Sequence, residues 1–309
     1  MFAILLLSFL PLALVAVAFN DDDSDHENDD ENRDDTDQET GEGEEIQVDA
    51  PDQVTMGTNG DDTIRGTDGT DFVFGLAGED DIYLGDGDDM GTISPEAEDA
   101  MWNATTAEEF IDAYENSGFF GAVGGTGDDY IDGGHGNDAI TGSQGDDVLR
   151  GNLGADTLID FEGSNELYGG YGNDALIASD TDHAPDLLDG GANDDYLYGN
   201  DGDTMTGGTG SDFFSIWWTG GEDPVSITDF GDLGPNPAPG TPGEFLSIEV
   251  DDLSAVSNFS VSPSDSGAEV SLNGQTVAQI EDVDYAALKA AGAIYAEDLY
   301  GNAMLPSYA

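Results

Sequence analysis

A carboxylate recurs at a fixed place beside glycines through the middle of the sequence. Between Gly124 and Ile159 the units read GGTGDDYID, GGHGNDAIT, GSQGDDVLR and GNLGADTLI. Each unit has Gly at its first and fourth positions, Asp at its sixth and an aliphatic residue at its eighth. Glycine permits the positive φ of a tight turn, and Asp adds a hard anionic oxygen. Carbonyl and carboxylate oxygens are the ligands that calcium prefers.

The same phase extends from Gly57 to Ser215 and defines a set of candidate metal ligands. We predict that the sixth-position acids bind Ca²⁺: Asp62, Asp71, Asp80, Asp89, Asp129, Asp138, Asp147, Asp156, Asp174, Asp186, Asp195 and Asp212. Asn165 replaces Asp in one unit, and the unit that ends at Asp203–Thr204 is one residue short. We expect weaker calcium binding, or none, at these two turns.

A nine-residue unit has room for one short strand and one turn, so each unit reverses the chain. Two units therefore make one coil, and turns on the same side stack at every second unit. A cation between stacked turns collects carbonyls and carboxylates from both, an all-oxygen site that suits Ca²⁺ rather than Zn²⁺. The predicted stacks pair Asp62 with Asp80, Asp71 with Asp89 and Asp129 with Asp147, and align Asp138, Asp156 and Asp174.

The repeats resemble the RTX, or hemolysin-type, calcium-binding repeat family, whose unit is GGxGxDxUx with U an aliphatic residue. The resemblance covers residues 57–215 and implies a parallel β-roll that binds Ca²⁺ in its turns. It also implies export by a type I secretion system through an uncleaved C-terminal signal. An apolar N-terminal segment is not typical of that route, so Sec-dependent export stays an open alternative.

The charge of the chain favours cations as partners. The 309 residues carry a net charge of -65, with 4 basic residues. Phosphate backbones would be repelled, which excludes nucleic acid as a partner. The chain has no Cys, so disulfides and thiolate metal sites are excluded as well.

Two segments precede the repeats. Residues 1–19 are hydrophobic and are either a signal peptide or a membrane anchor, with 2–19 as the possible tether. Residues 20–53 form an acidic run with too few apolar residues to fold, and we expect a disordered spacer.

The repeats are interrupted once and followed by a different pattern. Residues 90–123 break the period, and a capping box at Thr106 predicts a small helical insertion in the roll of residues 54–215. Residues 216–309 contain short strand-like runs, a hairpin signal at Asn273–Gly274 and a brief helix from Asp284 to Gly292. The predicted fold class is all-β: a parallel β-roll of nonapeptide repeats with a helical insertion and a β-rich C-terminal capping and secretion domain.

No catalytic constellation stands out in the sequence, and we expect that the protein is not an enzyme. The favoured function is an extracellular calcium-binding protein with a structural or adhesive role, which binds a cell-surface or matrix ligand and whose roll folds on binding Ca²⁺. One alternative is a tethered surface protein that buffers calcium. Another is a small secreted enzyme or toxin that uses the roll as a calcium-triggered folding and secretion module.

Overall fold

The computed structural model describes residues 43–48, 54–89, 120–178, 184–218, 220, 223–231, 244–250, 253–298 and 302–308. The apolar segment 1–19, most of the acidic spacer 20–53 and most of the insertion 90–123 lie outside these ranges. In the part of the chain that is described, no helix is both long and apolar enough to cross a membrane.

The chain alternates between two sheets. The first has 13 strands, in the spatial order β1 (Glu45–Gln47), β3 (Thr63–Arg65), β5 (Asp81–Asp86), β7 (Tyr130–His135), β9 (Val148–Leu153), β11 (Glu166–Tyr171), β13 (Leu187–Ala192), β15 (Thr204–Thr209), β17 (Val225–Ile227), β21 (Gln275–Glu281), β20 (Gly267–Leu272), β19 (Phe259–Pro263) and β24 (Ser307–Tyr308). The second has 11 strands, in the order β2 (Val54–Met56), β4 (Phe72–Ala77), β6 (Ala122–Thr126), β8 (Ala139–Gln144), β10 (Thr157–Ile159), β12 (Ala175–Ala178), β14 (Tyr196–Gly199), β16 (Phe213–Trp217), β18 (Phe245–Val250), β22 (Ile294–Asp298) and β23 (Ala303–Met304).

Neighbouring strands within the roll are parallel and offset by two repeats. In β7 and β9, for example, Tyr130 is opposite Val148 and Ile131 is opposite Leu149. Successive repeats contribute to opposite sheets, so one coil consists of two units, as the period predicts. The parallel β-roll architecture is confirmed.

The core lies between the two sheets and is built from the eighth-position side chains. Because side chains alternate across a strand, one aliphatic residue of each unit points inward and stacks on its equivalents. Those of the first sheet are fully buried: Ile64, Ile82, Ile131, Leu149, Leu167, Leu188 and Met205. Those of the second sheet are buried in the same way: Val73, Ala122, Ile140, Leu158, Leu176, Leu197 and Phe214.

The insertion leaves the roll between Asp89 and Phe120 without breaking the sheets. Strand β5 pairs with β7 across it, with Asp81 opposite Tyr130. Strand β6 begins at Ala122, inside the predicted insertion, and pairs with β4 and β8. The predicted helices of the insertion lie outside the described residues.

Both sheets continue past residue 215 into the C-terminal region. Strands β17 and β21 extend the first sheet in parallel, and β18 and β22 extend the second. Antiparallel strands then follow at this end of both sheets: β20 and β19 beyond β21, and β23 beyond β22. The change at residue 215 is therefore a change of sequence pattern within continuous sheets.

Two local predictions for this region are confirmed. Asn273 and Gly274, with φ of 53° and 87°, connect the antiparallel strands β20 and β21. Helix α1 (Tyr285–Ala291) begins after Asp284, whose side chain accepts hydrogen bonds from two backbone N–H groups, and ends at Gly292 with φ 64°. A short 3₁₀ helix, Leu253–Ala255, lies between β18 and β19.

Two leucines of strand β9 provide a matched test of the core. Leu149 is 0% exposed and Leu153 is 43% exposed. With saturating calcium, Leu149→Ala should destabilise the roll by about 2–5 kcal/mol because it leaves a cavity. Leu153→Ala should change stability by less than about 0.5 kcal/mol. Guanidinium unfolding followed by circular dichroism measures both; equal effects would contradict the inward stacking.

Candidate metal centres in the turns

The sixth-position residues form two columns along the edges of the roll. The first column precedes the strands of the first sheet and contains Asp62, Asp80, Asp129, Asp147, Asn165, Asp186 and Asp203. The second column precedes the strands of the second sheet and contains Asp71, Asp89, Asp138, Asp156, Asp174, Asp195 and Asp212. Every candidate ligand predicted from the sequence is a member of one column.

Within a column, each side chain is held by the backbone of the preceding coil. The N–H of Asp62 donates to Oδ1 of Asp80 at 2.8 Å, and the N–H of Asp129 donates to Oδ1 of Asp147 at 2.7 Å. The N–H of Asp71 likewise donates to Asp89 at 2.7 Å. The predicted pairs are therefore adjacent in the structure, and their role as calcium ligands stays a prediction.

The columns also cross the insertion. The N–H of Asp80 donates to Oδ1 of Asp129 at 2.8 Å, although 49 residues separate them. The N–H of Asp89 donates to Oδ1 of Asp138 at 3.0 Å. The stacks of the two repeat blocks, predicted separately from the sequence, are thus continuous.

The second carboxylate oxygen has a different environment. In most column members Oδ2 is buried and accepts no hydrogen bond: Asp80, Asp89, Asp129, Asp138, Asp147, Asp156, Asp174, Asp195 and Asp212. A buried carboxylate oxygen without a partner is costly. The same unpartnered oxygen recurs at equivalent positions, which indicates that a bound group from outside the protein, such as a cation, contacts it.

Glycines keep the space around these oxygens open. A Cβ added at Gly133, the first position of its unit, would lie 2.5 Å from Oδ2 of Asp138. At the fourth position, Gly136 has φ +128°, and a Cβ there would collide with the carbonyl oxygen of Gly87 in the preceding coil. The two glycines therefore allow carboxylate and carbonyl oxygens to approach closely in each turn.

Burial raises the pKa of nine of the column acids, and the neighbouring carboxylates in most cases raise it further. Among the described groups, the pKa rises to about 6 for Asp80, Asp138, Asp174 and Asp212, to about 7 for Asp89 and Asp147, and to about 8 for Asp129, Asp156 and Asp195. The charged form is therefore disfavoured unless a cation accompanies it.

The donor set fits Ca²⁺. No group of three or more His, Asp or Glu side chains converges on a metal-sized site in the described ranges, so backbone carbonyls must supply most of the ligands. Sites made of carbonyl and carboxylate oxygens are characteristic of Ca²⁺, whereas Zn²⁺ prefers nitrogen and sulfur. The column acids would provide the charge, and the glycine turns would provide the carbonyls.

The two irregular turns both keep their place in the first column. Asn165 keeps the column hydrogen bond, since its Oδ1 accepts from the N–H of Asp147 at 2.9 Å, but it carries no charge. In the short turn, Oδ2 of Asp203 accepts from the N–H of Asn200 at 2.7 Å. Oδ2 of Asp62 and Oδ2 of Asp71 accept in the same way from the N–H groups of Thr58 and Thr67, so this hydrogen bond does not distinguish the short turn from regular ones.

Sequence reasoning missed two buried acids of the turns. Asp203 belongs to the first column, but its unit is one residue short, so a nine-residue count does not place it at a sixth position. Asp160 is 0% exposed and occupies a first position, where most units have Gly. Counting units by their sixth residue alone could not have found it; comparing first positions would have.

Removing calcium should unfold the roll. Each site of millimolar affinity contributes about 1.4 kcal/mol at tenfold excess of calcium, and the vacated carboxylates repel one another. We expect EGTA to abolish the strand signal in far-UV circular dichroism and added CaCl₂ to restore it. Magnesium at the same concentration is the control and should restore less, because Mg²⁺ demands a tighter octahedral site. A strand signal unaffected by EGTA would contradict this.

Acid should partly replace calcium. A folded-state pKa of about 6–8, above the unfolded value of about 3.9, gives stability that is fully present below pH 4 and lost as pH rises through the folded pKa. In EGTA, lowering the pH from 8 to 5.5 should therefore increase strand content. A calcium-loaded sample is the control and should stay folded at pH 8. No gain of structure on acidification would refute the protonation argument.

Comparison with known proteins agrees with the geometry. Residues 56–90, 122–149, 150–182 and 185–214 match the RTX calcium-binding nonapeptide repeat in four copies. No curated protein shows significant similarity to the chain. The matched segments contain both columns from Asp62 to Asp212. Over these residues the chain therefore consists of RTX calcium-binding nonapeptide repeats, and Ca²⁺ is the ligand expected in their turns.

Proposed function

We propose that the chain is an extracellular calcium-binding protein with a structural or adhesive role, whose roll folds when it meets calcium outside the cell. The observation that carries the proposal is the repeated buried Oδ2 of the column acids. These oxygens make folding depend on a cation, because many buried negative charges would otherwise face one another.

The affinity expected of such sites supports an extracellular location. Extracellular calcium modules bind with Kd on the order of 10⁻⁴–10⁻³ M. Inside a cell such sites stay empty, so the chain is exported unfolded and folds on arrival. The net charge of -65 keeps the calcium-free chain expanded by self-repulsion.

The outer face of the first sheet supports an adhesive role. Arg65 lies over the ring of Tyr83 at 4.6 Å, and Arg150 lies over the ring of Tyr168 at 4.7 Å. The ring of Tyr83 is 5.8 Å from that of Tyr130. This ladder is a rigid aromatic surface on an otherwise acidic protein, and it is our candidate contact for a cell-surface or matrix ligand.

We also propose that the protein is not an enzyme. Glu249 is the strongest acid–base candidate outside the turns, since burial raises its pKa to about 7. Its oxygens accept hydrogen bonds from the hydroxyls of Ser215 at 2.7 Å and Tyr198 at 3.4 Å. We interpret it as a satisfied structural residue. A secreted hydrolase or toxin is the competing function, and activity of the refolded chain that Glu249→Gln abolishes would establish it.

The export proposal is tested by truncation in the native host. Deleting residues 302–309 should trap the protein in the cell if its export signal is C-terminal, as in type I secretion. Deleting residues 2–19 should trap it if that segment is the signal or tether. Immunoblots of medium, intact cells and lysate measure the distribution, with Leu153→Ala as the control that should be exported normally. Full-length protein found only in the cytoplasm would contradict an extracellular function.

If the wild-type protein is found outside the cell, two further measurements separate the tethered from the released protein and test the adhesive role. An intact N-terminus by mass spectrometry favours the tethered calcium-buffering protein, and a mature protein without residues 1–19 favours a released one. Binding of the refolded protein to host cells or matrix should require calcium. Replacing Tyr83 and Tyr168 by Ala should weaken that binding if the aromatic ladder is the contact.

A further inference from the structure

One unit of the roll departs from the repeat at two positions at once. The unit Asp160–Tyr168 reads DFEGSNELY, so Asp occupies the first position instead of Gly, and Asn165 occupies the sixth instead of Asp. The unit therefore keeps one buried carboxylate in its turn, but five residues earlier than its neighbours.

Asp160 is placed against the carboxylate of the preceding coil. Both Asp160 and Asp147 are 0% exposed. Oδ2 of Asp160 accepts from the N–H of Gly142 at 3.0 Å, and its Oδ1 accepts from the N–H of Phe161 at 2.9 Å. These hydrogen bonds fix the carboxylate in one orientation.

The open space beside Gly142 is shared by the two acids. A Cβ added at Gly142 would lie 2.5 Å from Oδ2 of Asp160 and would collide with Oδ2 of Asp147. Oδ2 of Asp147 is buried and accepts no hydrogen bond. An unpartnered oxygen of a fully buried acid is thus aimed into the same small space as a second buried carboxylate.

The charge of this pair has no protein counterpart within the described ranges. The one ion pair there joins His135 and Asp86, both exposed. Two buried carboxylates that share a space require either a cation or a proton. In a regular column, each gap between coils has a sixth-position acid from both coils. Asn165 removes one of them, and Asp160 brings the number of carboxylates back to two.

We propose that Asp147 and Asp160 together bind a divalent cation, Ca²⁺, in the turn whose regular ligand is replaced by Asn165. The site rests on calcium binding by the repeats, and it reverses the expectation that the Asn165 turn binds calcium weakly or not at all. Backbone carbonyls of the two coils complete the ligand set, as in the regular turns. The gap between Asp147 and Asn165 then holds two carboxylates, as a regular gap does.

Counting bound ions in matched variants of the full chain tests the proposal. Native mass spectrometry of refolded protein in CaCl₂ gives the ion number, and nonspecific binding to the acidic residues is common to all variants. Asp160→Asn keeps the size and the hydrogen-bond acceptor, and we expect it to bind one ion fewer. The exchange Asp160→Gly with Asn165→Asp restores a regular unit and should restore the wild-type number.

Two controls make the result unambiguous. Glu162→Gln removes an exposed acid from the same turn and should leave the ion number unchanged. Asp156→Asn removes a regular second-column acid and should lose an ion. Asp160→Asn should also raise the calcium concentration at the folding midpoint, and the exchange variant should bring that midpoint back toward wild type.

The outcomes separate the two hypotheses. If Asp156→Asn loses an ion while Asp160→Asn keeps the full number, the buried pair holds a proton and the inference is overturned, whereas calcium binding by the repeats stands. If the wild-type protein binds no calcium, both fail. If Asp160→Asn does not fold, the exchange variant still tests the inference. The inference predicts that Asp160 with Asn165 binds as many ions as Gly at 160 with Asp at 165, so loss of an ion in the exchange variant would contradict it.

Discussion

The structure depends on how each turn accommodates one buried carboxylate. Oδ1 accepts a hydrogen bond from the backbone of the preceding coil, so the side chain acts as a cross-link between turns. Oδ2 of most column acids is buried in the turn and accepts no hydrogen bond from the protein. The same residue therefore sets the register of the coils and creates the demand for a cation. Folding and calcium binding are two descriptions of one equilibrium, since the columns cannot be fully ionised and close-packed without metal.

This arrangement tolerates irregular spacing as long as the column is kept. The sequence separation between hydrogen-bonded column neighbours is 18 in regular coils, 49 across the insertion, 21 between Asp174 and Asp195, and 17 between Asp195 and Asp212. In all of them an aspartate, or in one case Asn165, accepts the backbone N–H, and the eighth-position side chain stays in the core. The strands on either side of the extra residues pair directly, so the two sheets are not disturbed. At Asn165 the cross-link and the charge come from different residues. The amide oxygen of Asn165 accepts the hydrogen bond between coils, and Asp160 carries the negative charge.

The C-terminal region completes the same architecture without the repeat. Parallel pairing continues from β15 to β17 and β21, and from β16 to β18 and β22. The buried side chains Ile227, Ile248 and Ile280 extend the aliphatic core, although the GxxGxD pattern does not occur in residues 216–309. Beyond β21 and β22 the strand direction reverses, so the stack of parallel strands does not continue. A repeat roll needs such an ending, because an open end would expose its core.

The sequence by itself determined the two-sheet roll, the buried aliphatic ladder and the two columns, because a nine-residue period leaves one arrangement in which glycine turns stack and eighth residues face inward. It also located the hairpin at Asn273 and helix α1, whose signals are local. The tertiary structure alone showed that the columns cross the insertion, that the sheets run past residue 215, and that Asp160 meets Asp147. Those features depend on contacts between residues far apart in the chain, and no local pattern encodes them. In the sequence, Asp160 is simply a residue that replaces the first-position glycine. Only the stacking of the coils places it beside Asp147 as a pair of buried carboxylates.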